Sequence, residues 1–184
     1  MEEENEQMTV MQNALRMGVI LGVVSIILSL IFYLIDPALF AKWWLNLSIL
    51  LGVIIAVVVI GINYRKSIGG FMSFGDAFKH GFIILLTFGV LSGAFTILLF
   101  QVIDPDLKTV VIDASIEQTT AMMENFGAPE DSIEEALEEA EVSMEESFSL
   151  IGQLKGQLWA IIFYAVLSLI TGLIVRKQEK ISDI

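Results

Sequence analysis

Four long stretches of the chain carry no acidic residue, no lysine and no arginine, and they limit its fold more than any other feature. The stretches cover residues 17–35, 43–64, 80–103 and 156–175. About 20 mainly apolar residues in a helix are enough to cross a hydrocarbon core roughly 30 Å thick. A helix of a soluble bundle keeps a polar face at helical period, but runs such as "LLGVIIAVVVIGI" (50–62) are apolar on all sides. We therefore predict an all-α integral membrane protein, a four-helix bundle built from these four spans.

The distribution of lysine and arginine predicts the orientation of the spans, because these residues are enriched in cytoplasmic loops. With four spans, both termini and the 64–79 loop share one side of the membrane. That side holds seven basic residues: Arg16, Arg65, Lys66, Lys79, Arg176, Lys177 and Lys180. The other side holds three: Lys42, Lys108 and Lys155. We expect both termini in the cytoplasm, and a retained first span because "MEEENEQ" (1–7) lacks the basic region of a signal peptide.

The acidic residues are concentrated in one segment. Residues 104–150 contain fourteen Asp and Glu and one Lys, a local charge of −13, whereas the formal charge of the whole chain is −12. Such a segment repels nucleic acid and attracts cations or a basic protein surface. The chain contains no cysteine, which excludes disulfides and thiolate metal sites.

Helical periodicity within this segment predicts two helices separated by Gly127 and Pro129. Apolar residues of the second helix share one face: Ile133, Leu137, Ala140, Met144 and Phe148. Those expected to face them from the first helix are Leu107, Val111, Ala114, Ala121 and Met122. We predict that 1–103 and 151–184 form the membrane bundle, and that 104–150 is an acidic helical hairpin inserted between spans 3 and 4 in the periplasm.

Seven glutamates of the second helix form the candidate surface for a partner or for cations. They are Glu134, Glu135, Glu138, Glu139, Glu141, Glu145 and Glu146. The segment lacks the glycine turn and alternating oxygen ligands of a calcium loop. A solvated acidic face is therefore the simpler interpretation, followed by weak binding of divalent cations.

An Ile-Asp-Pro motif occurs twice, in "FYLIDPALF" (32–40) and "FQVIDPDLK" (100–108). Proline disfavours helical geometry in the residue before it, aspartate is a good helix N-cap, and proline suits the first helical position. Asp36 with Pro37, and Asp104 with Pro105, are therefore predicted to stop one helix and begin another. A paired cation site formed by Asp36 and Asp104 is the alternative.

Similar sequences also precede the first and third spans, "NALRMGVI" (13–20) and "DAFKHGFI" (76–83), and both returning spans end in Arg-Lys. We predict two copies of one helical hairpin with the same topology, related by an axis along the membrane normal. Ser73 and Asp76 have the spacing of a capping box at the start of the third span.

Glycines within the spans are predicted to allow close helix packing, since small residues let helix backbones approach each other in lipid. They are Gly18, Gly22, Gly52, Gly89, Gly93 and Gly172. The alternative is a dimer face at Gly18 and Gly22 or at Gly89 and Gly93.

Candidate catalytic chemistry is sparse. The spans contain no Asp, Glu, Lys or Arg, which disfavours an ion-coupled carrier. His80, the single histidine, follows Asp76 by four residues and could form an acid–base pair with it. The preferred interpretation has Asp76 completing the cap behind Ser73 and His80 at the level of the lipid head groups. We predict no catalytic residue, no metal site and no cofactor.

The loop "RKSIGGFMSFGDAFKHG" (65–81), together with "AMMENFGAP" (121–129), resembles a bacterial membrane protein family, domain of unknown function 4199. The similar positions in the loop are Arg65, Lys66, Gly69, Gly70, Ser73, Phe74, Gly75, Ala77, Phe78 and Gly81. The resemblance implies a four-span inner-membrane protein of Gram-negative bacteria, and it brings no known activity.

Taken together, these features favour a non-enzymatic inner-membrane interaction or scaffold module that presents its acidic hairpin to a basic protein partner. The lipid bilayer is its environment and a homo-oligomer is a further expectation. The alternative is a small channel or facilitator formed by an oligomer of the four-span bundle.

Overall fold

The computed structural model describes residues 8–178. The acidic stretch 1–7 and Lys180, which bear on the predicted orientation, lie outside the described residues. Six α-helices occur in the described chain: α1 (Val10–Ile35), α2 (Trp43–Ser67), α3 (Phe74–Leu98), α4 (Leu107–Asn125), α5 (Glu130–Phe148) and α6 (Leu150–Val175). A 3-10 helix (Pro37–Ala41) follows α1, and a π-helical turn (Leu99–Ile103) extends α3.

Four of these helices are long and apolar enough to cross a membrane: α1, α2, α6, and α3 with its π-helical extension. The prediction of an all-α fold with four long apolar span candidates is confirmed for the described residues. The helices extend beyond the charge-free stretches, since α1 begins at Val10, α3 at Phe74 and α6 at Leu150. A charged side chain can leave the hydrocarbon while the helical backbone continues, so charge marks the edge of the lipid and not the end of the helix.

The chain divides into two compact units. Unit 1 comprises residues 8–24, 50–91 and 159–178 of the described chain, and unit 2 comprises 25–49 and 92–158. Each long helix contributes one part of its length to each unit.

The core of unit 1 takes side chains from all four long helices. Its fully or nearly buried members are Ala14, Val57, Ile84, Leu85 and Leu167. Large apolar side chains also cover the outside of the same helices, for example Ile55 and Val90. An apolar exterior of this extent suits hydrocarbon and not water.

A second cluster of unit 1 lies where α2 ends and α3 begins, and it contains Tyr64, Met72 and Val175. The chain reverses there through Gly69 and Gly70, whose φ angles of +99° and +87° favour glycine.

Two further contacts join this reversal to the end of α6. Met72 and Lys177 exchange backbone hydrogen bonds of 2.9 and 3.0 Å, and Arg65 Nη1 donates to the carbonyl oxygen of Val175. The end of α6 is thereby tied to the loop between α2 and α3.

Unit 2 is built around the π-helical turn. Leu99 and Phe100 pack with Leu107 and Val111 of α4, and Phe40 and Phe148 are among the side chains that pack against this cluster. α4 packs against α5 on one side and against the 3-10 helix on another. The buried residues of α4 are Leu107, Val111 and Ile112.

Candidate functional site

The glutamates of α5 are exposed, while the apolar side chain of Ile133 on the same helix is buried. Helical geometry divides these acids into two rows. One row borders α4, where Glu141 and Glu145 line a groove of about 230 Å³ with Lys108 and Asp113. The other row opens outward, and its groove is lined by Glu135, Glu138, Glu139, Val142, Ser143 and Glu146.

The outward row is strongly acidic and poorly neutralised by the chain itself. Within residues 8–178, the residues that line its groove include no Lys or Arg. Lys155 Nζ lies 3.5 Å from Glu146 Oε1, but both side chains are exposed, so this ion pair contributes little. Three of its carboxylates, those of Glu135, Glu138 and Glu139, are thus available to a positively charged surface.

A preformed metal site is not found in the part of the chain that the structure describes, since no three His, Asp or Glu residues converge there. Asp36 and Asp104 instead carry out local hydrogen bonding. Asp36 Oδ1 accepts from the backbone N–H of Ala38 at 2.9 Å. Asp104 Oδ1 accepts from the N–H of Leu107 at 3.2 Å, and its Oδ2 accepts from the hydroxyl of Tyr33 at 3.1 Å.

Asp76 completes the cap behind Ser73, as predicted, and His80 has other partners. Asp76 is engaged with Ser73: the Ser73 hydroxyl donates to Asp76 Oδ2 at 2.7 Å, and the Asp76 N–H donates to Ser73 Oγ at 3.1 Å. His80 is only 1% exposed, and its Nε2 lies 2.8 Å from Asn13 Oδ1. The histidine is therefore buried between helices, and its depth relative to the lipid head groups stays a prediction.

The residues that hold His80 were not predicted from the sequence. Its ring stacks on Tyr64 with centroids 4.9 Å apart and planes 9° from parallel, and the Tyr64 hydroxyl donates to the carbonyl oxygen of Met8 at 2.9 Å. Asn13 was itself a usable signal, since a buried amide near the start of an apolar helix needs a polar partner. Together these contacts connect α1, α2 and α3, which indicates a structural role for His80.

Four of the predicted packing glycines face neighbouring helices of unit 1. A Cβ added at Gly18 would lie 2.6 Å from Thr87 Cβ, and one at Gly22 would lie 2.9 Å from Leu91 Cβ. Gly89 faces Tyr164, and Gly172 lies against the backbone of Phe78. These four positions are therefore occupied within the chain itself.

The other two packing glycines differ from each other. Gly93, in unit 2, packs against the side chain of Gln157. A Cβ at Gly52 would have no neighbour within 4 Å among the described residues. Gly52 therefore faces outward.

The apolar residues of α4 have neighbours besides α5, which the sequence did not predict. Leu107 and Val111 pack with Phe148 at the end of α5 but also with Tyr33 and Phe40. Ala121 and Met122 line a groove with Trp43, at the first residue of α2. Both residues are exposed, and the lining of this groove includes no residue of α5.

Comparison of the chain with known proteins identifies its family. A model of the family described as "Protein of unknown function (DUF4199)" matches residues 16–177. Searches of curated proteins and of solved structures give no match. The resemblance noted in the 65–81 loop is confirmed, and because the match covers most of the chain, the protein belongs to the DUF4199 family.

Proposed function

We propose that the protein is a non-enzymatic, multi-pass protein of the bacterial inner membrane whose acidic helical hairpin, α4 and α5, binds a basic protein surface. The observation that supports this most directly is the outward row of α5. Glu135, Glu138 and Glu139 lie beside one another there, and the described residues lining the same groove include no basic side chain.

The acidic pattern has an energetic cost that a basic partner would relieve. Like charges three or four residues apart destabilise a helix by about 0.2–0.5 kcal/mol per pair. α5 contains such pairs, for example Glu135 with Glu138 and with Glu139. A surface rich in Lys or Arg would replace this repulsion with attraction and would also speed association.

The location in the periplasm rests on the bias of lysine and arginine, which favours cytoplasmic termini. The proposed absence of enzymatic activity is supported by the contacts of the candidate acid–base pair, Asp76 and His80. Asp76 is engaged with Ser73, and His80 is buried against Asn13 and Tyr64.

The experiment is site-specific crosslinking in native membranes, with a photoreactive residue at position 142 between the outward glutamates. We expect a protein adduct that is lost when Glu135, Glu138 and Glu139 are all changed to Lys. It should also weaken as salt is raised, since the Debye length falls from about 10 Å at 0.1 M to 3 Å at 1 M.

The matched control reverses three exposed acids of α4 instead: Asp113, Glu117 and Glu124. This variant has the same net charge as the test variant but keeps the outward row of α5 intact. An adduct that survives the α5 reversal, or that is lost equally in both variants, would refute a specific role for this row.

The orientation of the chain in the membrane is tested separately. Because the chain contains no cysteine, a cysteine-specific label reacts only with the one that is introduced. A membrane-impermeant maleimide should label a Glu138→Cys variant in intact spheroplasts and a Lys66→Cys variant only after permeabilisation. Labelling of both variants, or of the second alone, would contradict a periplasmic hairpin.

The oligomeric channel has one supporting feature, the outward-facing Gly52. The core of unit 1 is filled by side chains of all four helices, so a pore would have to form between chains. Solute flux in proteoliposomes that is abolished by Gly52→Trp would support this alternative. Vesicles that remain tight with the native protein would exclude it.

A further inference from the structure

An uncharged stripe runs along one face of α4. Its residues recur at alternating intervals of four and three, which places them on one side of the helix: Leu107, Val111, Ala114, Gln118, Ala121 and Asn125. The charged residues of α4, which are Lys108, Asp113, Glu117 and Glu124, lie off this face. One side of α4 is therefore suited to an apolar or neutral neighbour along its whole length.

The two halves of the stripe have different surroundings. Leu107 and Val111 are buried in the core of unit 2. The later residues border an open groove of about 620 Å³, which we call the α4 groove; it is lined by Trp43, Gln118, Ala121, Met122, Asn125 and Phe126. The protein itself thus covers the first half of the stripe and leaves the second half open.

Three large apolar side chains of the α4 groove are exposed. Phe126 is 85% exposed, Trp43 is 54% exposed and Met122 is 41% exposed. Clustered apolar side chains of this size are unfavourable in water and mark a surface that contacts another apolar phase.

The position of Trp43 indicates that this apolar phase is the lipid bilayer. It is the first residue of α2, a membrane-span candidate, and the neighbouring Trp44 and Leu47 are also exposed. Tryptophans at the end of a span lie at the level of the lipid head groups. The α4 groove is therefore continuous with the lipid-facing surface of α2 and opens where acyl chains meet head groups.

The polar residues of the α4 groove restrict which lipid head groups it can bind. Gln118 and Asn125 can donate amide hydrogen bonds to phosphate or ester oxygens, and the described lining includes no Lys or Arg. Glu117 and Glu124 lie nearby on the same helix, so a lipid with net negative charge is disfavoured and one with an ammonium group is favoured. We propose that the α4 groove binds a phospholipid with a zwitterionic, ammonium-bearing head group, which seats the end of α4 on the bilayer.

This proposal is independent of the basic partner proposed for α5, because the α4 groove and the outward row of α5 share no residue. The first test places single cysteines on the cysteine-free chain in vesicles of phosphatidylethanolamine and phosphatidylglycerol in equal parts. A nitroxide on Met122→Cys should be accessible to oxygen and protected from a water-soluble relaxation agent. A nitroxide on Glu117→Cys, on the same helix but off the stripe, should show the reverse.

The second test measures head-group selectivity by native mass spectrometry of the full chain. We expect phosphatidylethanolamine to be retained in preference to phosphatidylglycerol. Ala121→Trp, which fills the groove, should weaken its retention by about tenfold, the effect of one or two lost apolar contacts. Val142→Trp, an exposed position on α5, is the matched control and should retain the lipid.

Phe126→Ala removes an exposed side chain and leaves the fold intact, so it should also weaken lipid retention even if Ala121→Trp misfolds. Water accessibility at position 122 equal to that at 117 would overturn the lipid contact. Equal retention of phosphatidylglycerol, or retention unchanged in both groove variants, would overturn the assignment of the groove.

Discussion

Adding one methyl group at Gly18 is expected to destabilise the protein, although alanine forms helices better than glycine. In the structure a Cβ at this position would lie 2.6 Å from Thr87 Cβ and 2.8 Å from the carbonyl oxygen of Ile84. Optimal carbon contacts are about 3.5–4.0 Å, so α1 and α3 would have to separate by about 1 Å. The Ile84 oxygen belongs to the backbone and cannot rotate away.

The magnitude is set by two opposing effects. Overpacking of a closely packed site costs about 1–3 kcal/mol, while replacing glycine with alanine in a helix gains about 1 kcal/mol. Gly52→Ala is the matched control, because the described residues leave its Cβ position open to at least 4 Å. The control retains the helix-propensity gain, so the difference between the two variants isolates the close contact at about 1–3 kcal/mol.

The measurement is reversible unfolding by SDS in mixed micelles, followed by circular dichroism. Gly18→Ala should unfold at a lower SDS fraction than the native protein, and Gly52→Ala at an equal or higher one. Identical midpoints for the two variants would show that α1 and α3 do not approach each other as closely as the structure indicates.

Two further predictions use the same unfolding assay. Asn13→Leu removes the hydrogen-bond partner of His80 Nε2 and should destabilise by about 1 kcal/mol, as for hydrogen bonds between other membrane helices; an unchanged midpoint would contradict a structural role for this pair. Tyr33→Phe removes the hydroxyl that donates to Asp104 and should lower the midpoint by less than Asn13→Leu; a larger effect would show that Tyr33 has a further role.

The four spans could be predicted because the absence of charged side chains decides where a helix can cross hydrocarbon. A charge-free stretch of about 20 residues is needed wherever backbone and side chains face hydrocarbon, and this requirement is local in sequence. The site of His80 could not be predicted in the same way. Lys79 beside it suggested the membrane surface, but successive helical residues point about 100° apart, so His80 turns inward while its neighbour does not.

The partner of the apolar face of α4 was unpredictable for a different reason. The pattern of Leu107, Val111 and Ala121 indicates that one face needs an apolar neighbour, and α5 was the nearest such neighbour in sequence. The structure adds the 3-10 helix and Trp43, which follow α1 and are distant in sequence. Periodicity gives the face of a helix but not the identity of the element that covers it.

The two Ile-Asp-Pro motifs show which features of the break between two helices are set by the proline and which depend on the residues around it. Asp36 and Asp104 both leave helical geometry, with φ of −162° and −144°, as a residue before proline should. The helical turn before each aspartate differs. The N–H of Asp36 bonds four residues back to Phe32, whereas that of Asp104 bonds five residues back to Leu99, closing a π-helical turn.

The segments after the two prolines differ more, and the apolar spacing explains why. After the first motif the 3-10 helix covers only Pro37–Ala41, since Trp43 already begins α2. The second meets Leu107 and Val111, which are four residues apart and both buried, and a stripe with that spacing favours a continued α-helix. The proline therefore determines where the first helix stops. The spacing of the next apolar residues determines whether the following helix is a single turn or a long α-helix.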